Sequence, residues 1–197
     1  MMPFAIDMNY GRACNEAMSL LPDDAWGCIV DHDMVFTTRA WYGQLDEAVR
    51  WAQTHPDAGL FTAVASRGWQ RWQWTGQQPD NHDMAWHRRV GKALLKTRTL
   101  LDVTDNSGIA GVVMLLSKRA WARVGGFVDG MYCVDHGMHF ALVDAGMRVY
   151  VIEGLYVQHW RRANGDAPPT TAPTAKNCRC CVVRKTERPP TTRIMLP

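Results

Sequence analysis

The segment Trp26-Gly27-Cys28-Ile29-Val30-Asp31-His32-Asp33 decides the fold class. Five uncharged residues end abruptly in two acids. A short apolar run bounded by turn-forming residues fits a strand buried on both faces, as in a sheet covered by helices. The acids then lie at the strand's C-terminal tip. Upstream, Pro22-Asp23-Asp24 forms a turn. Asn9 to Leu21 predicts a helix, with Ala13, Ala17, Leu20 and Leu21 at helical spacing. Met1–Phe4 reads as the end of another strand, stopped by Pro3.

Downstream the same alternation continues. Trp41 to Gln53 predicts a helix ended by His55-Pro56-Asp57, and Gly59–Ala65 a buried strand. Residues 66–80 lack periodicity and form a loop rich in Gly, Gln and Trp. Asp83–Arg98 predicts a helix with a basic face, Ile109–Leu116 a strand, and Ser117–Arg123 a short helix capped by Ser117. Gly125-Gly126 makes a turn. Val134–Ala145 predicts a helix stopped by Gly146, followed by two short strands, Arg148–Ile152 and Leu155–His159. Strands alternating with helices imply an α/β layered sheet.

The 197 residues suffice for one domain with a core, here residues 1–162. Beyond Arg162 the character changes. Residues 161–197 hold six of the ten prolines and eight Lys/Arg against two Asp/Glu. Such a composition buries too little apolar surface to offset its ordering entropy, so 163–197 reads as a flexible basic tail. The net charge of +3 therefore comes from the tail, which argues against a nucleic-acid-binding body. Cys14, Cys28 and Cys133 read as small buried apolar residues. Cys178, Cys180 and Cys181 are too tightly spaced for a zinc site. No signal peptide or membrane-spanning run is visible, which implies a cytoplasmic protein with free thiols.

Asp31 and Asp33 can reach one site if the chain turns there, and hard divalent cations want such oxygens. Taken alone, the triplet also fits a turn or a solvated strand end. Two more runs carry signal. One is Trp121-Ala122-Arg123-Val124-Gly125-Gly126-Phe127. The other is Val134-Asp135-His136-Gly137, with Gly146-Met147-Arg148-Val149 and His159-Trp160 behind it.

A helix carrying Gly11 and Asn15, then DxD, "VGGF", an acidic helix start, "AGMRV" and a late His: this order over residues 1–162 resembles glycosyltransferase family 2. The resemblance implies a compact GT-A-like, Rossmann-like mixed sheet flanked by helices. It implies transfer of a sugar from a nucleotide-diphosphate sugar to an acceptor hydroxyl, with inversion of configuration at the anomeric carbon. Asp31, Asp33 and His159 would hold Mn²⁺ or Mg²⁺, with His159 favouring Mn²⁺. Asp135 would be the general base. Gly11, Arg12 and Asn15, with Asp31 and Asp33, would approach the nucleotide diphosphate.

The pattern also differs from the family's at named positions. Val134 stands where Glu is usual, Gly137 where a second Asp is usual, and Cys14 where an Arg often precedes the helix Asn, with Arg12 a possible substitute. About thirty residues precede Asp31, which implies a short or N-terminally truncated member.

Other readings stand beside these. Asp135 also fits an acid favoured by a helix N-terminus, and His159 a structural histidine. His136 and His139 are further potential ligands, whereas strand alternation turns His32 away from Asp31 and Asp33. Trp69, Trp72 and Trp74 fit either a sugar-stacking platform or a loop clamped to the body. Arg88, Arg89, Lys92, Lys96 and Arg98 fit a solvated helix face. A metal-dependent phosphoesterase would need a second ligand cluster, which the sequence does not offer. A degenerate GT-A domain that binds without turnover is the remaining alternative.

Overall fold

The structure, a computed structural model, describes residues 7–67, 70–75, 81–160 and 192–196. They form a mixed α/β fold around one seven-stranded sheet. The elements are α1 (Tyr10–Ser19), β1 (Trp26–Val30), β2 (Met34–Phe36), α2 (Trp41–Ala52), β3 (Ala58–Ala65), α3 (Met84–Leu94), β4 (Thr99–Asp102), β5 (Val113–Ser117), α4 (Lys118–Arg123), α5 (Val134–Asp144), β6 (Arg148–His159) and β7 (Arg193–Met195). The strand order is β1-β5-β3-β6-β4-β7, with β2 also paired to β6.

Strand direction positions the site. β5 runs antiparallel to both β1 and β3, while β3 and β6 are parallel. The C-terminal ends of β1, β3 and β6 therefore share one edge, where ligands of α/β sheets usually sit. β3 is buried along its whole length, as an apolar run between two helical layers should be. Leu60 and Val64 join Met18, Phe127, Met138 and Leu142 on one face. Phe61, Ala63 and Ala65 join Leu45, Ala48 and Trp51 of α2 on the other.

β6 is one strand where the sequence predicts two. Its pairing with β3 jumps from Ala63↔Ile152 to Val64↔Tyr156. This bulge reverses the alternation: Val149 and Val151 face one core, but Leu155 and Val157 face the other. The basic helix is shorter than expected. It ends at Leu94, and Thr99–Asp102 pairs with β6 instead. The apolar run 109–112 precedes β5 without joining the ladder. Its polar groups go elsewhere: the Ala110 amide donates to Gln73 Oε1 at 2.7 Å, and Val112 O accepts from Asp31 N at 3.2 Å.

Gln73 decides the character of its loop. Its Nε2 donates to Thr62 Oγ1 (2.8 Å), Ala110 O (3.1 Å) and Ala63 O (3.2 Å), all buried. Trp72 packs against the first core cluster. The described part of this loop is thus clamped to the body. Trp69 lies outside the described residues, as do residues 1–6, the cysteines at 178, 180 and 181, and 161–191.

Two expectations are corrected. The predicted flexible tail includes Thr192–Leu196, yet Arg193–Met195 forms β7 against β4, and Leu196 is buried in the second core cluster. The exposed edge of β4 supplies the template that a composition-based reading overlooks. Of the three cysteines expected in the core, only Cys14 is buried; Cys28 is exposed and Cys133 intermediate. Among the described residues, no helix is long and apolar enough to cross a membrane.

Removing residues 192–197 should cost about 2 kcal/mol, chiefly the burial of Leu196. That corresponds to a melting temperature lower by about 4–8 °C. Unchanged melting of the shortened chain would show that β7 adds nothing to the sheet.

Candidate metal and acid-base site

The chain turns where β1 ends. Asp31 O accepts from Met34 N at 3.3 Å, so Asp31-His32-Asp33 forms a tight reversal that leads into β2. β2 then pairs antiparallel with the end of β6, with Met34 opposite His159. Trp160 N donates to Asp33 O at 2.6 Å and continues the pairing past the strand end. The last residues of β6 are thereby held beside the acidic turn.

His159 Nε2 lies 3.3 Å from Asp33 Oδ1 and 3.9 Å from Asp31 Oδ2. Around an ion bonded at about 2.1 Å, neighbouring ligand atoms stand roughly 3 Å apart, so this spacing suits a shared divalent cation. Among the described residues, this is one group of three whose ligand atoms lie within 4.8 Å of one another. The other ring nitrogen supports the fit. His159 Nδ1 lies 3.4 Å from Arg67 O, an acceptor only, so Nδ1 carries the proton and Nε2 keeps its lone pair for the acids' side. Burial pushes the Asp31 carboxyl up to about 6; His159 opposes the rise, while Asp33 and Asp135 add to it.

Asp135 stands at the same edge, as the second residue of α5. Its Oδ2 accepts from Gly111 N at 2.9 Å, and its Oδ1 from His136 N at 2.8 Å. His136 Nδ1 is 3.1 Å from the same Oδ1. Burial works to raise the Asp135 carboxyl, but the His136 ring, through its hydrogen bond and its charge when protonated, and the His136 and Gly111 amides outweigh it and hold the group below its ordinary value. The residue before α5, Cys133, has φ 62°, a left-handed conformation that a side chain adopts at a cost. The structure thus gives Asp135 the helix-start role, and it also leaves the carboxylate partly exposed, with 27% of the side chain open.

Gly11, Arg12 and Asn15, expected at a nucleotide diphosphate, all lie on α1 and have contacts within the protein. A Cβ at Gly11 would lie 1.8 Å from Val128 O, so glycine is needed for α1 to pack on the 128–130 turn. Asn15 Oδ1 accepts from Phe127 N (2.7 Å) and Trp121 Nε1 (2.9 Å), and its Nδ2 donates to Phe127 O (2.9 Å). Its amide is committed to holding the Gly125-Gly126-Phe127 turn. Arg12 pairs with Asp7 at the exposed start of α1. These contacts give Gly11 and Asn15 a structural part, because α1 clamps the turn before α5.

Of the other histidines, His32 is exposed and His139 is fully buried. Burial lowers His139 to about 4, which suits a neutral core residue. Tyr10, absent from the sequence reading, brings a buried hydroxyl into electrostatic reach of both Asp31 and Asp135. Its position in the first turn of an amphipathic helix gave no signal of this. Comparison with family models, curated proteins and solved structures found no match to the chain.

Two outcomes follow from this geometry. Asn15→Ala should cost about 2–4 kcal/mol, since it strands a backbone donor and an indole donor. Mn²⁺ affinity should stay unchanged in the same variant; a selective loss of Mn²⁺ binding would return Asn15 to the site. Mn²⁺ affinity by calorimetry should be steady above about pH 6 and fall up to tenfold per unit below it, because Asp31 must lose its proton to act as a ligand. Affinity that does not change between pH 7 and 5 would exclude Asp31 from the ligand set.

Proposed function

We propose that this protein transfers a sugar from a nucleotide-diphosphate sugar to an acceptor hydroxyl, with inversion. The observation that carries the reading is the convergence of Asp31, Asp33 and His159 on one sheet edge, with Asp135 on the same edge. Asp31, Asp33 and His159 would hold Mn²⁺ or Mg²⁺. A bound cation would supply neutralisation of the charge that develops on a departing diphosphate. Asp135, held ionised by its hydrogen bonds, takes the proton of the acceptor hydroxyl. Asp31 and Asp135 approach one another closely enough to interact, as donor-side and acceptor-side groups of one reaction must.

A binding domain without turnover is the second reading. It is favoured by one observation: Gly11 and Asn15, the residues expected to grip the diphosphate, are used in packing.

The test separates the two acids. Asp33→Asn should weaken Mn²⁺ binding and Mn²⁺-dependent binding of nucleotide diphosphates at least tenfold, since a neutral amide is a poorer ligand for a hard cation. Asp135→Asn should leave both nearly intact and lower transfer by a factor of roughly 10²–10⁴. Transfer that survives Asp135→Asn would remove the base assignment. Mn²⁺ binding with no transfer or donor hydrolysis across a panel of nucleotide sugars would favour the binding domain.

A further inference from the structure

We propose that His136 is a positioning residue, a neutral imidazole protonated on Nδ1 that fixes the Asp135 carboxylate, and that Gln70 sets its tautomer. The inference rests on the reading of Asp135 as the group that takes the acceptor's proton.

The ring is held from three sides. Nδ1 lies 3.1 Å from Asp135 Oδ1, and Nε2 lies 3.0 Å from Gln70 Nε2. An ionised carboxylate only accepts, and an amide nitrogen only donates. One ring nitrogen therefore faces an acceptor and the other a donor. The neutral form with its proton on Nδ1 satisfies both, whereas an imidazolium would set N–H against N–H. The third side is backbone. Gly108 has φ 116°, and a Cβ there would lie 2.5 Å from His136 Cδ2. Glycine at 108 lets the ring lie directly on the chain. Gln70 itself is 7% exposed, whereas 27% of the His136 side chain is open.

The consequence falls on the two carboxylate oxygens. Oδ1 takes two hydrogens, from the His136 amide and the His136 ring. Oδ2 takes one, from Gly111 N, and keeps a lone pair. Oδ2 is then the atom that receives the acceptor's proton. The acceptor O–H bond breaks as its proton passes to Oδ2, the acceptor oxygen bonds to the anomeric carbon, and the nucleotide diphosphate leaves with the electron pair of the broken C–O bond. Without the ring, the two backbone amides still hold the carboxylate, but Oδ1 regains an open lone pair and the oxygen that receives the proton is no longer singled out.

The first measurement needs no turnover. Long-range ¹H–¹⁵N correlation of the full chain at pH 7.5, assigned by comparison with His136→Asn, should show His136 neutral with the proton on Nδ1. Gln70→Glu places an acceptor at Nε2 as well, so the ring then lies between two carboxylates and should gain a second proton, on Nε2, while it keeps the one on Nδ1. A wild-type ring protonated on Nε2, or on both nitrogens, overturns the proposal. The second measurement uses amide geometry. An Asn amide nitrogen can stand where Nδ1 stood, and a Gln amide nitrogen only where Nε2 stood. His136→Ala and His136→Gln should lower Mn²⁺-dependent transfer about 10–100-fold with Mn²⁺ affinity unchanged, and His136→Asn should recover most of that loss. Equal rates for the Asn and Gln variants overturn the positioning role. If the wild type transfers no sugar from any donor tried, the base reading of Asp135 falls, while the tautomer still decides whether His136 and Gln70 fix its carboxylate.

Discussion

The pairing of Met34 with His159 is the contact on which the site depends. Asp31 and Asp33 belong to a turn at the end of one strand, and His159 ends a strand more than a hundred residues later in the chain. Three residues of β2 bridge that distance in sequence. They reach β6 only because the turn reverses the chain at once, and they stay there because Thr37 Oγ1 donates to Tyr156 O at 2.9 Å. A longer excursion after Asp33 would lose the register and with it the third ligand. The parallel run of β3 and β6 does the rest, since it brings Ser66 and Arg67 against the backbone and ring of His159.

The two acids of the site are tuned in opposite directions by similar degrees of enclosure. Asp31 is pushed up because burial finds few donors to offset it and a second carboxylate stands nearby. Asp135 is held down because two amides and a ring nitrogen point at it. The segment 111–112 links the two: Gly111 donates to Asp135, and Val112 accepts from the amide of Asp31. A shift in this segment therefore reaches both acids together. In a site proposed to bind a cation on one side and a proton on the other, that contrast gives each carboxylate a different partner.

Much of this was legible in local pattern. The apolar run 26–30, the alternation that follows it and the glycine at 146 gave the main strands and helices, because buried strands and amphipathic helices write their periods into the sequence. Asp31, Asp33 and His159 were legible by residue type and order. What escaped was fixed by pairing across the chain. β2, β4 and β7 are three or four residues long and carry no period of their own. The β6 bulge reverses an alternation that the sequence alone extends unbroken. The partners of Asn15 escaped for the same reason: its amide bonds Phe127 and Trp121, 112 and 106 positions away.

Gln73 carries a consequence on the time axis. The Ala110 amide belongs to no strand or helix, yet its hydrogen is held by a side-chain oxygen in the dry interior. To exchange with solvent, it must wait until Gln73 withdraws, and Gln73 cannot leave without giving up Thr62, Ala63 and Ala110 at once. Such an amide exchanges through cooperative opening rather than through loop fluctuation. The irregular stretch beside the two acids thus keeps the slow clock of the sheet, and the spacing of Asp31 from Asp135 persists on that clock as well.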